Sequence, residues 1–403
     1  VLPAAVVCLV RPETGDTRVA GGLPRILLVS RAFDPVGTGR QLELVASGLR
    51  GDGWEVHLAE TTAPRLRFGS DGDRPIPRVR AAAGTAVLER LVAAGVVVHT
   101  VASRPIMDAA VFGRLVRLAR RLRPDVLVAW GRSQLTTVAA LRPWVPRSQL
   151  VGQVAAPLHG RVATWASRRL DMLIASSAEV AATCGTGPVE VIPPGIPRDT
   201  GQGCQRQELA ARLGLDPAKA WTLCAAPLTT ESRLDRLIWA IDQLGVVHHG
   251  VQHVLVGDGP LRAMLERRAR AHQIADRLVM PGQCPYVSDL IGQVRLVWHS
   301  GEVAHGGALL DGMARGVPAV AVESSAARQL VVDGETGRVV PPVPASELPR
   351  RALAILEDDA LAARWGAAAS ARAAEAFCIA AMQTRFAEVL ARVTMPTRKS
   401  VAR

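Results

Sequence analysis

Short apolar runs alternate with segments of helical spacing along most of the chain, and this alternation predicts the fold before any single residue does. Arg25–Ser30 (RILLVS) is a continuous apolar run bounded by a turn, the pattern of a parallel strand buried on both faces. Gln41–Arg50 carries Leu42, Val45 and Leu49 at helical spacing, and Trp54–Ala59 returns to strand. Strands are predicted likewise at Val96–Val101, Val126–Trp130, Leu150–Val154, Met172–Ala175 and Val189–Ile192, with a helix over Ala109–Leu122. The turn-rich stretch from Pro193 to Pro197, followed by residues 199–203, reads as a linker. Beyond it the alternation restarts, with strands at Thr222–Ala226, Val254–Val256, Leu278–Met280, Val294–Trp298, Ala319–Val322 and Gly337–Val340. The tail from Ala352 to Val393 is alanine-rich and helical. Two successive doubly wound α/β domains are expected, with ligands at strand C-termini in a cleft between them.

Length agrees with this division: 403 residues exceed the roughly 250–300 at which a single core stops growing. The expected parts are an N-terminal extension over 1–22, a first domain over 23–197 and a second over 206–375. A last helix over 376–395 would pack back on the first domain. The apolar run at Val1–Val10 is too short to span a bilayer, and no transmembrane helix is predicted elsewhere. Hydrophobic residues make up 49% but aromatics only 3%, so the core must be built from Ala, Val and Leu.

The net charge of +12 is uneven: residues 1–200 hold 25 arginines against 16 acidic residues, while the remainder holds 23 basic and 20 acidic. A basic first half suits an anionic partner, such as a lipid-linked phosphate, an acidic glycan or an anionic membrane surface, or is simply a solvated arginine-rich face. Arg114, Arg117, Arg120, Arg121 and Arg123 cluster on one predicted helix whose apolar face is Leu115, Leu118 and Leu122, which fits peripheral membrane contact or a solvated helix face. Nucleic acid is not expected, because no recognised binding module accompanies the charge. Six scattered cysteines lack any C-x-x-C spacing, so neither a zinc site nor a disulfide framework is predicted, and a reducing cytoplasm fits. The Asp71-Gly-Asp73 triplet mimics a metal-binding D-x-D but sits in a polar loop and reads as surface.

The second half carries the chemistry. Val254–Pro260 (VLVGDGP) ends a strand at Gly257 and leads into a helix, and Gly306-Gly307 stand before a predicted helix that bears Asp311 and stops at Gly316. Free N–H groups and the positive end of such a helix suit a diphosphate, and a carboxylate at Asp311 could accept from ribose hydroxyls. Asp333-Gly-Glu-Thr-Gly337 closes the series. In order and spacing these motifs resemble the C-terminal domain of the group 1 (family 4) glycosyltransferases, whose pattern runs V-G-x-G-P, L-G, E-G-F-G-x-x-x-x-E-A-M-A-x-G-x-P-V-V-A and D-G-x-T-G. The resemblance covers about residues 220–345 well and 25–200 more loosely. It implies a GT-B fold of two Rossmann-like domains and a nucleotide-diphosphate-sugar donor in the cleft. It also implies retention of anomeric configuration, no cofactor, no obligatory metal, and a glycan or lipid-linked sugar as acceptor.

Several positions depart from that pattern. With Asp311 aligned to the second glutamate of the family, Val303 stands where the first belongs, and Ala304-His305 replace Gly-Phe. The family's arginine and lysine, which meet the diphosphate, become Pro227 and Ser232. Removing one comparable donor can cost about 10²–10³ in rate. Nearby substitutes are Arg233 for the lost cation and Glu302 for the lost glutamate, both expected as catalytic residues. Donor binding is expected from Gly306, Gly307, Asp311, His305 and Gly257, and the acceptor side of the cleft from Gly37, Gly39 and His159. A chain that keeps the fold but has lost turnover is the alternative to which the missing cations point. An epimerase of the same fold would need acid/base carboxylates that cannot be assigned. A dinucleotide-binding dehydrogenase is disfavoured, because no G-x-G-x-x-G follows Arg25–Ser30.

Overall fold

In the computed structural model, residues 23–31, 33–61, 78–101, 109–198 and 203–394 are described. The expected extension over 1–22 and the Asp71-Gly-Asp73 triplet lie outside the described residues.

Each apolar run forms a strand whose alternate side chains enter opposite layers. In β1 (Arg25–Ser30), Ile26 and Leu28 join one apolar cluster while Leu27 and Val29 join another, as the two-residue period of a strand requires. The first sheet adds β2 (Glu55–Glu60), β3 (Val97–Thr100), β4 (Val126–Trp130), β5 (Gln149–Val154), β6 (Met172–Ala175) and β7 (Val189–Val191). Its order is β3-β2-β1-β4-β5-β6-β7, with every pairing parallel. The second sheet comprises β8 (Ala220–Ala225), β9 (Val251–Val256), β10 (Leu278–Gly282), β11 (Leu296–His299), β12 (Ala319–Val322) and β13 (Gly337–Val340). Its order is β10-β9-β8-β11-β12-β13, again wholly parallel. Both sheets carry apolar clusters on two faces, so each domain is a three-layer α/β unit.

Two crossings join the domains. The chain leaves β7 through residues 192–198, where Gln41 pins the backbone of Gly195 in both directions: its Nε2 donates to Gly195 O (2.7 Å) and its Oε1 accepts from Gly195 N (2.9 Å). The second crossing is the return of the last helix, Ile379–Thr394, which lays Met382, Phe386, Val389 and Leu390 into the apolar cluster of the first domain. Burying four such side chains supplies about 6–12 kcal/mol gross. Gln383 adds a hydrogen bond to Leu44 O (2.7 Å), and Ile196 N donates to Phe377 O (2.8 Å), so the outgoing and returning strands of the crossing are tied together.

Candidate functional site

Strand order reverses at one point in each sheet, between β1 and β4 in the first domain and between β8 and β11 in the second. Open α/β sheets bind ligands outside the strand C-termini at such switch points, because the flanking loops diverge there. Four loops are therefore singled out by topology: those after β1, β4, β8 and β11.

These loops meet across the two domains. Val36, in the loop after β1, is buried in an apolar cluster built, apart from Ile196 of the crossing, from the second domain and its C-terminal segment. Gly37 follows with φ +63°, and a Cβ there would stand 3.4 Å from Ala304 O and from Gly307 Cα. On the facing side His305, Gly306 and Gly307 have φ of 54°, 72° and 56° in succession. A Cβ on Gly307 would lie 2.2 Å from Ala225 O at the end of β8, so only glycine permits this approach.

Beside this glycine contact the seam turns polar. Gln153 Nε2, on the penultimate residue of β5, lies 3.1 Å from His305 Nε2. His305 is 6%, Gln153 2% and Gln134, in the turn after β4, 0% exposed. His305 Nδ1, Gln153 Oε1 and Gln134 Oε1 have no hydrogen-bond partner within the protein. If the amide of Gln153 donates, a neutral imidazole carries its proton on Nδ1 as an unpaired donor; with the amide reversed, Nδ1 is an unpaired acceptor. Burial pushes the His305 pKa down to about 3, so the ring is neutral at ordinary pH. At the contact between His305 and Gln153, two buried polar atoms are left open, at about 1–3 kcal/mol each, where a polar ligand group could pair them.

The structure disposes the sequence-predicted residues unevenly. The helix expected to open at Gly306 begins only at Leu309 and runs six residues, Leu309–Ala314. The cause is the backbone: Gly307 adopts φ 56°, ψ −117°, which no helix accommodates, and Gly306 N already donates to Val303 O (2.9 Å). Asp311 is buried in the first turn of that helix. Glu302 accepts from Ser325 N (3.2 Å) and from Ser325 Oγ, so its carboxylate holds the start of the helix Ser325–Leu330. Val303 is buried in the apolar core. Arg233 is exposed at the start of the helix Leu234–Val247, with φ 48°. His159 is exposed in the loop after β5. Gly257 and Gly39 answer to packing: a Cβ on Gly257 would lie 1.9 Å from Ala226 O, and one on Gly39 would lie 2.3 Å from Asp34 O.

Ser232 and Pro227 close on each other. Ser232 is 1% exposed and its hydroxyl donates to Pro227 O (2.6 Å), which leaves no room for a long cation at that position. Among the described residues no group of three or more His, Cys, Asp or Glu side chains is placed to hold a metal ion.

Residues 205–372 match the family model described as glycosyl transferases group 1. The match takes in the second domain, and it is this part of the chain that resembles the group 1 glycosyltransferases. The chain is 29% identical over 170 residues to an alpha-D-kanosaminyltransferase of Streptomyces kanamyceticus. That alignment takes in 41% of this chain and 44% of the relative, less than half of its length. Among solved structures it resembles Anabaena Alr3699/HepE in complex with UDP and glucose, with a TM-score of 0.73 and 20% identity over 92% of this chain and all of that one. It also resembles sucrose-phosphate synthase (tll1590) from Thermosynechococcus elongatus, with a TM-score of 0.69 and 16% identity over 92% of this chain and 99% of that one. The fold is GT-B, two parallel-sheet α/β domains, as the sequence motifs imply.

Sequence motifs did not point to Arg132, Gln134 or Gln153. Glutamines carry no motif, and Arg132 is one arginine among 48 basic residues of which all but two are arginine. The usable signal was positional: Gly131-Arg132 directly follows β4, one of the strands that flank the switch point.

Proposed function

We propose that this chain transfers a sugar from a nucleoside diphosphate sugar to a glycan or lipid-linked acceptor, with the leaving diphosphate bound where the two switch points meet. The observation that carries this reading is the seam itself, where the glycine pair of one domain faces Gly37 of the other beside the buried His305–Gln153 pair, each member of which keeps one polar atom without a partner. The backbone around Gly306 and Gly307, leading into the helix Leu309–Ala314, would receive phosphate oxygens. His305 Nδ1 would donate to one of them, Asp311 would hold the ribose, and Arg233 would add charge at the rim. Glu302, committed to Ser325, would shape the sugar pocket through the helix Ser325–Leu330 rather than touch the sugar. The family resemblance supports retention of configuration and independence from a bound metal as parts of this proposal. UDP is the first nucleotide to test, because the HepE structure is a complex with UDP and glucose.

The acceptor would approach over the first domain. A groove of about 650 Å³ runs along Gly160, Arg161, Thr164, Trp165, Arg168 and Arg169, a lining suited to an anionic sugar. Arg117, Arg120, Arg121 and Arg123 are exposed on and just after the helix Ala109–Leu122, which supports peripheral contact with an anionic membrane. No helix among the described residues is long and apolar enough to cross a membrane. A cytoplasmic location is part of this proposal.

A second reading, nucleotide-sugar binding without turnover, is favoured by one observation: the position of the family's lysine is a buried serine. One experiment separates the two. Thermal stabilisation by UDP, GDP, dTDP and their sugars is screened, and the responding sugar is assayed for diphosphate release with several acceptors. Release supports transfer; binding without release supports the second reading; no stabilisation by any nucleotide refutes both.

A further inference from the structure

We infer that Arg132, a residue of the first domain, supplies the positive charge that holds the donor diphosphate, replacing the cations that the loop after β8 has lost. This rests on the nucleotide-sugar reading of the seam given above.

The position follows from the fold. Arg132 leaves β4 through Gly131, whose φ of +85° turns the chain and whose N–H donates to Gln153 O (3.1 Å). Trp130 Nε1 donates to Thr38 O (3.1 Å), and a Cβ on Gly131 would lie 3.9 Å from Thr38 Cγ2. Arg132 therefore starts beside Thr38, the neighbour of Gly37, and beside Gln153, the partner of His305. One guanidinium nitrogen donates to Pro157 O (3.4 Å) in its own domain, and another reaches across the seam to lie 3.8 Å from Glu231 Oε1. Glu231 belongs to the loop after β8, the loop in which the family carries its cations.

Apart from Arg233 at the rim, that loop offers the diphosphate little of its own. Ser232 is turned onto Pro227, Ser300 Oγ donates to Ser232 O (2.7 Å), and Gly301 is packed so closely that a Cβ would lie 2.3 Å from Glu231 O. What it presents toward the first domain is the carboxylate of Glu231. A carboxylate beside a phosphate is repulsive unless a cation stands between them, and Arg132 is the cation placed there. At 3.8 Å the ion pair is longer than the 2.7–2.9 Å of a hydrogen-bonded one, and Arg132 is 45% exposed. Glu231 thus orients the guanidinium without a hydrogen bond to it, and the nitrogens not given to Pro157 O remain available for phosphate oxygens.

The arrangement has a mechanical consequence. Family-type cations lie on the same domain as the nucleotide, whereas here the charge and the N–H donors lie on opposite domains. Diphosphate affinity then depends on the domains being closed, and release of the diphosphate is coupled to their opening.

The test is calorimetric titration of the full chain with whichever of UDP, GDP and dTDP binds the wild type, and with its nucleoside. Arg132→Gln is expected to weaken the diphosphate about tenfold or more, the loss of a charge-assisted hydrogen bond, and to leave the nucleoside within about twofold. Arg132→Lys should retain part of the affinity, and Glu231→Gln in the Arg132→Gln background should restore part of it by removing the stranded carboxylate. Arg117→Gln, which removes the same charge from an exposed helix of the same domain, should change neither ligand by more than about twofold. An Arg132→Gln chain that binds the diphosphate like the wild type overturns the inference. So does an equal loss for diphosphate and nucleoside, which would mark Arg132 as structural. If the wild type binds none of the three diphosphates, the nucleotide reading fails first and this inference with it.

Discussion

Replacing Gly307 by alanine strikes the contact on which the seam is built. Its φ of 56° and ψ of −117° lie in a region that side chains disfavour, a cost of about 1–3 kcal/mol. The new Cβ would also stand 2.2 Å from Ala225 O, a backbone atom of the central strand β8 that cannot swing aside. Relief of such an overlap costs about 1–3 kcal/mol more. A total near 3 kcal/mol lowers the melting midpoint by about 6–12 °C for a domain of this size. Two other glycines calibrate the measurement. Gly306→Ala meets first a methyl of Leu330, which can move, so about 1–2 kcal/mol is expected. Gly113→Ala sits in the helix Ala109–Leu122 with no atom within 4 Å and should stabilise by about 0.5–1 kcal/mol. Calorimetric or dichroic melting of the three variants tests the order. A Gly307→Ala chain melting within about 2 °C of the wild type, with nucleotide binding intact, would refute the reasoning.

Two further outcomes are expected. Burial pushes the pKa values of His253 and His305 down to about 3 and that of His299 to about 4, all below the ordinary 6.5. The unfolded chain therefore binds more protons than the folded one between about pH 6.5 and pH 4, so stability is full above pH 6.5 and falls with pH through that window. Three such groups together remove about 3–4 kcal/mol between pH 6 and pH 5, which urea midpoints at the two pH values would register; a flat profile over that range would contradict the buried neutral assignment. Gln41→Leu strips both hydrogen bonds from Gly195 and leaves its buried N–H and C=O unpaired, so a loss of about 2–4 kcal/mol in urea unfolding is expected, against which a shift below 0.5 kcal/mol would count.

The architecture was legible because a parallel sheet buries both faces of each strand, and that leaves continuous apolar runs. Arg25–Ser30, Val126–Trp130 and Ala319–Val322 form strands at the residues that their runs predict. Boundaries slipped where buried polar residues interrupted the signal. β9 begins at Val251, three residues before the predicted Val254, because His253 is inside the protein and bonded to Thr222 Oγ1 (2.7 Å). The glycine pair stands out in the sequence, but its part in the contact between the domains does not. Glycines before a helix look alike in sequence whether they open it or let two domains touch, and the distinction lies in Ala225 and Ala304, distant in sequence or silent in chemistry. Glu302 illustrates the same limit: one residue from the expected carboxylate position, it is taken up by Ser325, 23 positions further on. Arg132 and Gln153 were invisible for the opposite reason, since only strand order brings them to the seam.

On the nucleotide-sugar reading, one nucleotide is held by both switch points at once. Hydrogen–deuterium exchange of the full chain, with and without the nucleoside diphosphate that stabilises it, tests this directly. Exchange is predicted to slow together in residues 131–135 and 153–155 of the first domain and in 226–234 and 300–312 of the second. Protection confined to one domain, or centred on the groove at 160–169, would contradict it.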